Sequence, residues 1–225
     1  MPRPRPPLLT ISSLDYPSPP TLRALSDFFT ASFWASKAGG SLTPQQTSFL
    51  RKSQAAEFGR RYRYSIDPPP KAYFGEGKPP LKTCAVIRAA QERGGGEAVV
   101  GMVGVEVDRV NVSEEEREEW PVMSNLSVGR DSRRQGIAEL LVKEVEQVVG
   151  PGGWGFPQCY LLVEKANVPA VKLYRKLGYK AVYTDSEATT LVPQDRGVKS
   201  VPTEVLVMKK KLGGGGNPLA ALFGG

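Results

Sequence analysis

The feature that most constrains the fold is a change of hydrophobic period between residues 122 and 148. Residues 122–128 form an apolar stretch typical of a strand, and an Arg- and Gly-rich turn follows it. Beyond the turn, apolar side chains recur at the spacing of a helix, at Ile137, Leu140, Leu141, Val145 and Val148. A strand that leads directly into an amphipathic helix predicts helices packed on a sheet, which is an α/β architecture.

The same periodicities predict one domain of mixed helices and strands along most of the chain. Besides the helix that begins near residue 137, helices are predicted for residues 22–37, 43–61 and 169–177. Strands are predicted for residues 83–90, 98–110, 122–128, 159–163, 181–183 and 205–208. The glycines at 94–96 indicate a hairpin connection, and the prolines at 68–70 interrupt regular structure.

Composition sets the two ends of the chain apart from this domain. Residues 1–20 contain seven prolines, and residues 212–225 begin with four glycines in a row after Leu212. We therefore expect a disordered Pro- and Arg-rich segment at residues 1–20, a domain at residues 21–211 and a flexible tail at residues 212–225. The glutamate-rich residues 114–119 predict a solvated loop or short helix, or alternatively an acidic rim that attracts cationic substrates.

The overall composition excludes several classes of chemistry. The chain contains no histidine, which rules out a Ser-His-Asp relay and any imidazole metal ligand. Its two cysteines cannot form a four-thiolate zinc site, so no metal is expected. No uncharged apolar run approaches the roughly 18 to 20 residues that a membrane span needs. The net charge of +7 suits an anionic ligand, but the arginines lack the interleaved aromatics of a nucleic-acid surface, so a nucleic-acid partner is not expected.

The turn before the helix carries the residues of an anion site. Its arginines and glycines stand where a helix start leaves several backbone N–H groups unpaired and adds the positive end of its dipole. Gly136 and Ala138 are small enough for a diphosphate to approach the backbone, and Arg133 and Arg134 add charge. The spacing is neither a P-loop nor a dinucleotide fingerprint. On these residues alone, an anion-binding helix start is favoured, with an ordinary basic helix start as the alternative.

Three segments together resemble a known family. Arg133-x-x-Gly136-x-Ala138 resembles the acyl-CoA signature Q/R-x-x-G-x-G/A of the GNAT superfamily of N-acetyltransferases. The stretch SNLSV at residues 124–128 precedes it, and ExxNxPAxxLYxxLGY at residues 164–179 is similar to the family's second block. The chain also looks like the plastid-type protein acetyltransferases of plants and algae.

The resemblance implies a fold and a cofactor site. It implies a mixed, mostly antiparallel central sheet flanked by helices and splayed between a fourth strand at residues 122–128 and a fifth at residues 159–163. Acetyl-CoA would be the co-substrate, with its pantetheine arm in that gap. The residues implied in binding it are Leu126, Ser127 and Val128 by their backbone, Arg133, Arg134, Gln135, Gly136, Ile137 and Ala138 around the pyrophosphate, and Asn167 and Tyr174 near the arm. For Asn167 the alternative is a helix cap.

The resemblance also implies a catalytic acid but leaves the base open. Tyr174 matches a family tyrosine that protonates the departing CoA thiolate, and a phenol is protonated at working pH. The alternative for Tyr174 is a packed aromatic side chain. Some bacterial relatives carry a glutamate on the fifth strand where Leu162 stands here. The remaining candidates for a base acting through water are Glu106, Asp108 and Glu164.

The expected function is direct transfer of an acetyl group from acetyl-CoA to a primary amine of a protein, either an N-terminal α-amine or a lysine. The alternatives are acetylation of a small amine of the polyamine or aminoglycoside type, and a non-catalytic acyl-CoA-binding module. Residues 1–20 hold a single acid, Asp15, and the family resemblance points to plastids, so a plastid location is expected and a cytoplasmic one is the alternative.

Overall fold

The computed structural model describes residues 8–14, 17–62, 84–93, 95–195 and 197–213. The prolines at 68–70 and residues 214–225 lie outside the described residues. The strands are β1 (Leu9–Leu14), β2 (Cys84–Arg93), β3 (Gly96–Asn111), β4 (Arg117–Val128), β5 (Gln158–Glu164), β6 (Lys180–Asp185), β7 (Thr189–Gln194), β8 (Gly197–Pro202) and β9 (Val205–Lys211).

The helices follow the predicted positions closely. They are α1 (Pro19–Phe29), which runs through a π-helical turn (Thr30–Trp34) into α2 (Ala35–Lys37), then α3 (Pro44–Arg61), α4 (Ile137–Val149) and α5 (Val168–Lys176). A 3₁₀ turn (Arg130–Ser132) lies between β4 and α4. Local capping explains where the helices start, as in the reciprocal bonds between Thr43 and Gln46 that open α3.

Seven strands form the central sheet, in the order β1-β2-β3-β4-β5-β9-β6. Neighbouring strands are antiparallel except β4 and β5, which run parallel. That parallel pairing is short, since it joins only Val122 to Tyr160 and Met123 to Leu161, and the strands continue unpaired with each other beyond it. The predicted fold is therefore confirmed: a mixed, mostly antiparallel sheet that opens between the fourth and fifth strands.

Helices cover the two faces of the sheet differently. On the face that we call the back, Leu141 of α4 packs in one core cluster with Val103 of β3. On the opposite face, called the front, Phe58 of α3 packs in a second cluster with Met102. Successive side chains of a strand point to opposite faces, which is why the adjacent residues Met102 and Val103 serve different cores. On the front of β5, Leu162 is 52 % exposed.

The prediction of disorder across residues 1–20 is wrong for part of that segment. Residues 9–14 contain no proline and form β1, which pairs antiparallel with β2 from Leu9↔Gln91 to Leu14↔Val86. The prolines flank this strand, and Pro19 and Pro20 open α1 behind the cap Ser18, where a missing N–H costs nothing. The domain therefore begins before residue 21.

Two further boundaries and one hairpin differ from the prediction. Leu212, assigned to the tail, donates its N–H to the Pro157 carbonyl at 2.8 Å and is buried in the core. Residues 117–119, assigned to a loop or short helix, begin β4 because they pair with residues 109–111 of β3. The hairpin of β7 and β8 was not predicted, since its alternation is weak and Pro193 and Pro202 interrupt it.

Candidate active site

The segment between β4 and α4, residues 129–136, is called the anion loop here. It turns sharply, with positive φ angles of 63° at Arg134 and 80° at Gly136. Among the described residues, no side chain caps α4, whereas Ser18, Thr43 and Asn167 each cap another helix. The first N–H groups of α4 therefore face the loop without a side-chain partner, which is the arrangement that binds phosphate oxygens at helix starts.

The two arginines predicted beside the phosphates are not equivalent. Arg133 is exposed, but its guanidinium bonds two backbone carbonyls: Nε donates to the Val128 carbonyl at 3.1 Å and a terminal nitrogen donates to the Ser32 carbonyl at 3.3 Å. Arg134 is exposed at the rim of the anion loop. Gln135 donates its amide to the Asp131 carbonyl at 3.2 Å and so braces the turn. All three side chains are exposed, but Arg133 and Gln135 bond backbone carbonyls, whereas Arg134 makes no such bond among the described residues and is therefore available to an anion from solvent.

The end of β4 is irregular where the pantetheine arm is predicted to pair. Asn125 has a positive φ of 57°, and the β3–β4 register shifts between Met102 and Gly104. This β-bulge turns the following residues out of the regular alternation. Leu126 and Val128 are half-buried, and Ser127 is buried with its hydroxyl against that of Ser32 at 2.7 Å. Backbone pairing of residues 126–128 with the cofactor stays a prediction.

A residue that sequence reasoning missed holds this bulge in place. Tyr62, just after α3, is fully buried, and its hydroxyl accepts a hydrogen bond from Asn125 Nδ2 at 3.3 Å. A Cβ added to Gly104 would lie 1.8 Å from that hydroxyl, so the strand needs glycine there. Burial raises the pKa of Tyr62 to about 12, and the phenol stays protonated. The available signal was a glycine inside a strand, which often marks a bulge or a close approach.

Tyr174 lies on α5 and is buried in the back-face core. Its ring meets Tyr179 edge-on, with ring centroids 6.0 Å apart. Burial raises the pKa of Tyr174, so its phenol keeps the proton that an acid must donate. Packing and an acidic role are compatible, and the catalytic role stays a prediction.

Asn167 caps a helix, which was the alternative role predicted for it. Its side-chain oxygen accepts the Ala170 N–H at 3.3 Å and caps α5. A contact of Asn167 with the cofactor arm stays a prediction.

The two front-face carboxylates considered as bases are both ion-paired. Glu106 pairs with Arg61 of α3, but burial, with added effects of Asp108 and Glu57, still raises the pKa of Glu106. Glu164 bonds Lys37 Nζ at 2.7 Å and accepts the Thr190 hydroxyl at 2.7 Å. Burial opposes its ionisation, but these hydrogen bonds prevail and lower the pKa of Glu164. Either carboxylate would have to leave its ion pair to accept a proton, although the raised pKa of Glu106 favours protonation there.

Asp108, the third candidate base, accepts the N–H of Arg109 at 2.7 Å in an exposed part of β3. Leu162 takes the position where some relatives carry glutamate and presents an exposed apolar side chain on β5. A general base is therefore still unassigned.

Carboxylates border the front of the sheet near β5 and β6. Burial raises the pKa of Tyr160, and Glu118 and Glu116 raise it further. Burial likewise raises the pKa of Tyr183, with added effects of Asp185, Glu114 and Glu187. We call these five carboxylates the acidic rim. The glutamate run thus lies beside the front face of the sheet, although part of it is strand.

Neither a metal site nor a membrane-spanning helix is found among the described residues. No group of three or more histidine, cysteine, aspartate or glutamate residues in that part of the chain could hold a metal ion. Within the same residues, every helix is too short or too polar to cross a membrane.

The opened parallel strand pair and the uncapped helix that begins beside it place a gap next to an anion site. The model of the Acetyltransferase (GNAT) family matches residues 49–179, more than half of the chain. The protein therefore belongs to the GNAT family, and the alternative of a non-catalytic module is not retained. A sequence search of curated proteins found no significant match.

Solved structures of the same fold cover nearly the whole chain. Arabidopsis thaliana NAA60 in complex with acetyl-CoA superposes with a TM-score of 0.59 at 15 % identity, covering 92 % of this chain and 100 % of the other. The ribosomal-protein-S18-alanine N-acetyltransferase of Escherichia coli gives a TM-score of 0.51 at 17 % identity, covering 94 % and 98 %. At identities this low, the superpositions show a shared fold and nothing further.

Proposed function

We propose that the protein acetylates primary amines of other proteins, at N-terminal α-amines, lysines or both. The observation that carries the proposal is the front face beside the β4–β5 gap. Leu162 presents an exposed apolar surface there, and the acidic rim borders it. An extended chain end with a cationic amine suits such a surface, because its apolar part can lie on the strand while carboxylates attract its charge. The Escherichia coli neighbour is named as an N-acetyltransferase of a ribosomal protein. Arabidopsis thaliana NAA60 was also solved with a bisubstrate analogue.

The cofactor side of the proposal rests on backbone groups. The N–H groups of residues 133–138 at the start of α4 would hold the diphosphate, and Arg134 would add charge. The backbone of residues 126–128 would pair with the pantetheine amides as an added strand, and Asn167 would contact the arm. The observation that supports this fit is the open space around Gly136, where a Cβ would meet no atom within 4 Å.

The chemistry asks little more of the chain than an acid. The amine nitrogen attacks the thioester carbonyl carbon and loses a proton to water, the carbon–sulfur bond breaks, and Tyr174 gives its proton to the departing thiolate and regains one from solvent. The strand N–H groups near Leu126 and Val128 would stabilise the carbonyl oxygen. An α-amine with a pKa of about 8 is substantially neutral near pH 7.5, whereas a lysine at about 10.4 is neutral only about 0.1 % of the time. Since Glu106 and Glu164 are ion-paired, we expect α-amines to react faster than lysines.

Mass spectrometry after expression in a bacterium tests the protein-acetylation proposal. Cells that express the wild-type chain should show new acetylated N-termini or lysines that are missing from cells expressing Tyr174→Phe. If the purified enzyme acetylates spermidine but no protein gains acetyl groups, the proposal fails. The matched variant separates enzymatic transfer from acetylation by the host.

A small amine is the second candidate, and the acidic rim favours it. Five carboxylates around Tyr160 and Tyr183 would attract a polyamine more strongly than a singly charged chain end. Comparing kcat/KM for spermidine and for an unblocked peptide on the same enzyme distinguishes the two acceptors. A ratio that favours spermidine more than tenfold would support the small-amine candidate.

A plastid location also stays a proposal, and the structure changes its test. Residues 9–14 form an edge strand of the sheet, so removing residues 1–20 would also remove part of the folded domain. Microscopy should therefore compare the full chain with one lacking residues 2–7. Loss of plastid import in that variant would support a targeting role, and unchanged import would place the signal elsewhere.

A further inference from the structure

One helical segment lies between the diverging strands. Residues 30–37, the π-helical turn together with α2, are called the bridge here. At one end of the bridge, the Ser32 hydroxyl lies 2.7 Å from that of Ser127 on β4, and both residues are only 7 % exposed. The Ser32 hydroxyl also lies 2.8 Å from the Phe28 carbonyl, so the two serines and this carbonyl form one buried hydrogen-bonded group.

The anion loop reaches the same end of the bridge. The Arg133 guanidinium spans the Ser32 carbonyl on the bridge and the Val128 carbonyl at the end of β4. A change in the position of the loop would therefore be transmitted to the bridge through a two-point contact with fixed geometry.

The other end of the bridge is tied to β5. Lys37 Nζ bonds Glu164 at 2.7 Å, and the Lys37 side chain is only 16 % exposed. Lys37 and Glu164 both bond Thr190 on β7, so one cluster joins the bridge, β5 and the β7–β8 hairpin. That hairpin forms a separate two-stranded sheet, and such hairpins need packing against another element to be stable.

The anchors stand where β4 and β5 have parted. Ser127 lies four residues beyond the last paired residue of β4, Met123, and Glu164 lies three beyond its partner Leu161. The five-residue step from Ser32 to Lys37 covers about 7.5 Å along a helix. Paired strands lie about 4.8 Å apart, and β4 and β5 no longer pair beyond Met123 and Leu161, so the bridge joins the two strands where the sheet is open.

We propose that the bridge sets the width of the β4–β5 gap and couples acetyl-CoA binding at the anion loop to the β7–β8 hairpin on the front face. Ser127 and Lys37 are its positioning residues, and Arg133 connects it to the loop. The coupling rests on the acetyl-CoA dependence of the enzyme and applies to any amine acceptor.

Hydrogen exchange measured by mass spectrometry tests the coupling with CoA alone as the probe. In the wild type, saturating CoA should slow exchange in residues 129–138 and also in the bridge and in residues 189–202 of the hairpin, by about fivefold or more. If CoA protects residues 129–138 and leaves the bridge and hairpin unchanged, the coupling is absent and the proposal is overturned.

Three variants cut the bridge at different points. Ser127→Ala keeps the backbone of β4 but removes the buried hydroxyl, and Arg133→Gln removes the loop contact at an exposed position. In both, CoA should protect residues 129–138 and no longer the hairpin. In Lys37→Met, CoA should still slow exchange in the first part of the bridge but no longer in the hairpin. Lys37→Arg keeps the ion pair, so CoA should again slow exchange in the hairpin. Hairpin protection that persists in all three cutting variants would refute the proposal.

Lys210→Met provides the matched control, because it removes a similarly buried lysine–carboxylate pair with Glu146, in the half of α4 that is farther from the anion loop. It should leave hairpin protection as in the wild type. A melting curve of each variant checks that it is folded, and Arg133→Gln keeps the test valid if Ser127→Ala unfolds. A tenfold loss of CoA affinity in Arg133→Gln would instead identify Arg133 as a direct phosphate ligand and overturn its connecting role.

Discussion

The proposed cofactor side and the proposed acceptor side of this enzyme are built from different kinds of groups. The cofactor side is a backbone surface: an anion loop and an uncapped helix start that follow one another along the chain. The acceptor side consists of side chains, with Leu162 and the acidic rim at its surface and Lys37, Glu164 and Thr190 joined beneath the hairpin.

The difference in charge follows from the two ligands. A diphosphate is bound by N–H groups and arginines, while an amine is attracted by carboxylates. The comparison implies that cofactor binding should depend on backbone conformation, whereas acceptor binding should depend on individual side chains and on salt.

The largest effect is expected at Tyr174, the proposed acid. Tyr174→Phe should lower kcat by about 100-fold or more, because the thiolate loses its acid, and should change acetyl-CoA affinity little. Steady-state kinetics and calorimetric titration with acetyl-CoA measure the two quantities. Tyr179→Phe is the control, since it removes a neighbouring buried hydroxyl on the same face of the sheet and should leave kcat unchanged. Equal losses of kcat in both variants would indicate a packing effect instead of acid catalysis.

A backbone change should break the cofactor side selectively. Gly136→Val places a branched side chain at φ 80° in front of the α4 N–H groups, so acetyl-CoA affinity should fall at least about tenfold. Gly95→Val introduces the same strain at φ 83° in the distant β2–β3 turn and should leave affinity unchanged. Calorimetric titration compares them, and equal affinity losses would mean that general destabilisation is responsible.

Acid should loosen the acceptor side. The pKa of Glu164 is lowered in the folded protein, so its pairing stabilises the fold above the ordinary carboxyl pKa and is lost as pH falls through the folded value. Since Glu164 is a third exposed, we expect the pair to contribute no more than about 1 kcal/mol. The difference in melting temperature between wild type and Lys37→Met should therefore shrink from pH 7 to pH 3. A constant difference over that range would show that Lys37 acts by packing alone.

The smallest effect is expected from the acidic rim. Replacing Glu114, Glu116 and Glu118 together by glutamine should raise KM for a cationic acceptor by about two- to fivefold, and added salt should abolish the difference. Glu144→Gln on α4 serves as the control. If KM stays constant at low salt, the rim is a solvated surface without a role in acceptor binding.

The predictions that succeeded depend on local sequence. The turn between β4 and α4 could be located because its strand, glycines and helix are contiguous, and the caps at Thr43 and before Pro169 lie at the helix starts that they define. The family signature identified Arg133, but the sequence could not predict the contacts of its guanidinium. One of the carbonyls that it bonds belongs to Ser32, about a hundred residues away.

The failures share a cause, which is pairing between distant segments. Residues 9–14 looked disordered because the surrounding prolines dominate the composition, yet the free edge of β2 supplies the hydrogen bonds that make them a strand. Tyr62 carries no catalytic signature, and its contact with the Asn125 bulge requires α3 to be packed on the sheet.

The sequence by itself determined the α/β class, the strand–loop–helix unit of the cofactor side and the absence of histidine chemistry. These follow from residue type and short-range spacing, which act through backbone geometry within a few residues. Only the tertiary structure decided which carboxylates are paired, which arginine faces the anion site and how residues 30–37 connect β4 to β5. Those properties depend on contacts between residues far apart in the chain, and such contacts exist only once the sheet and helices have packed.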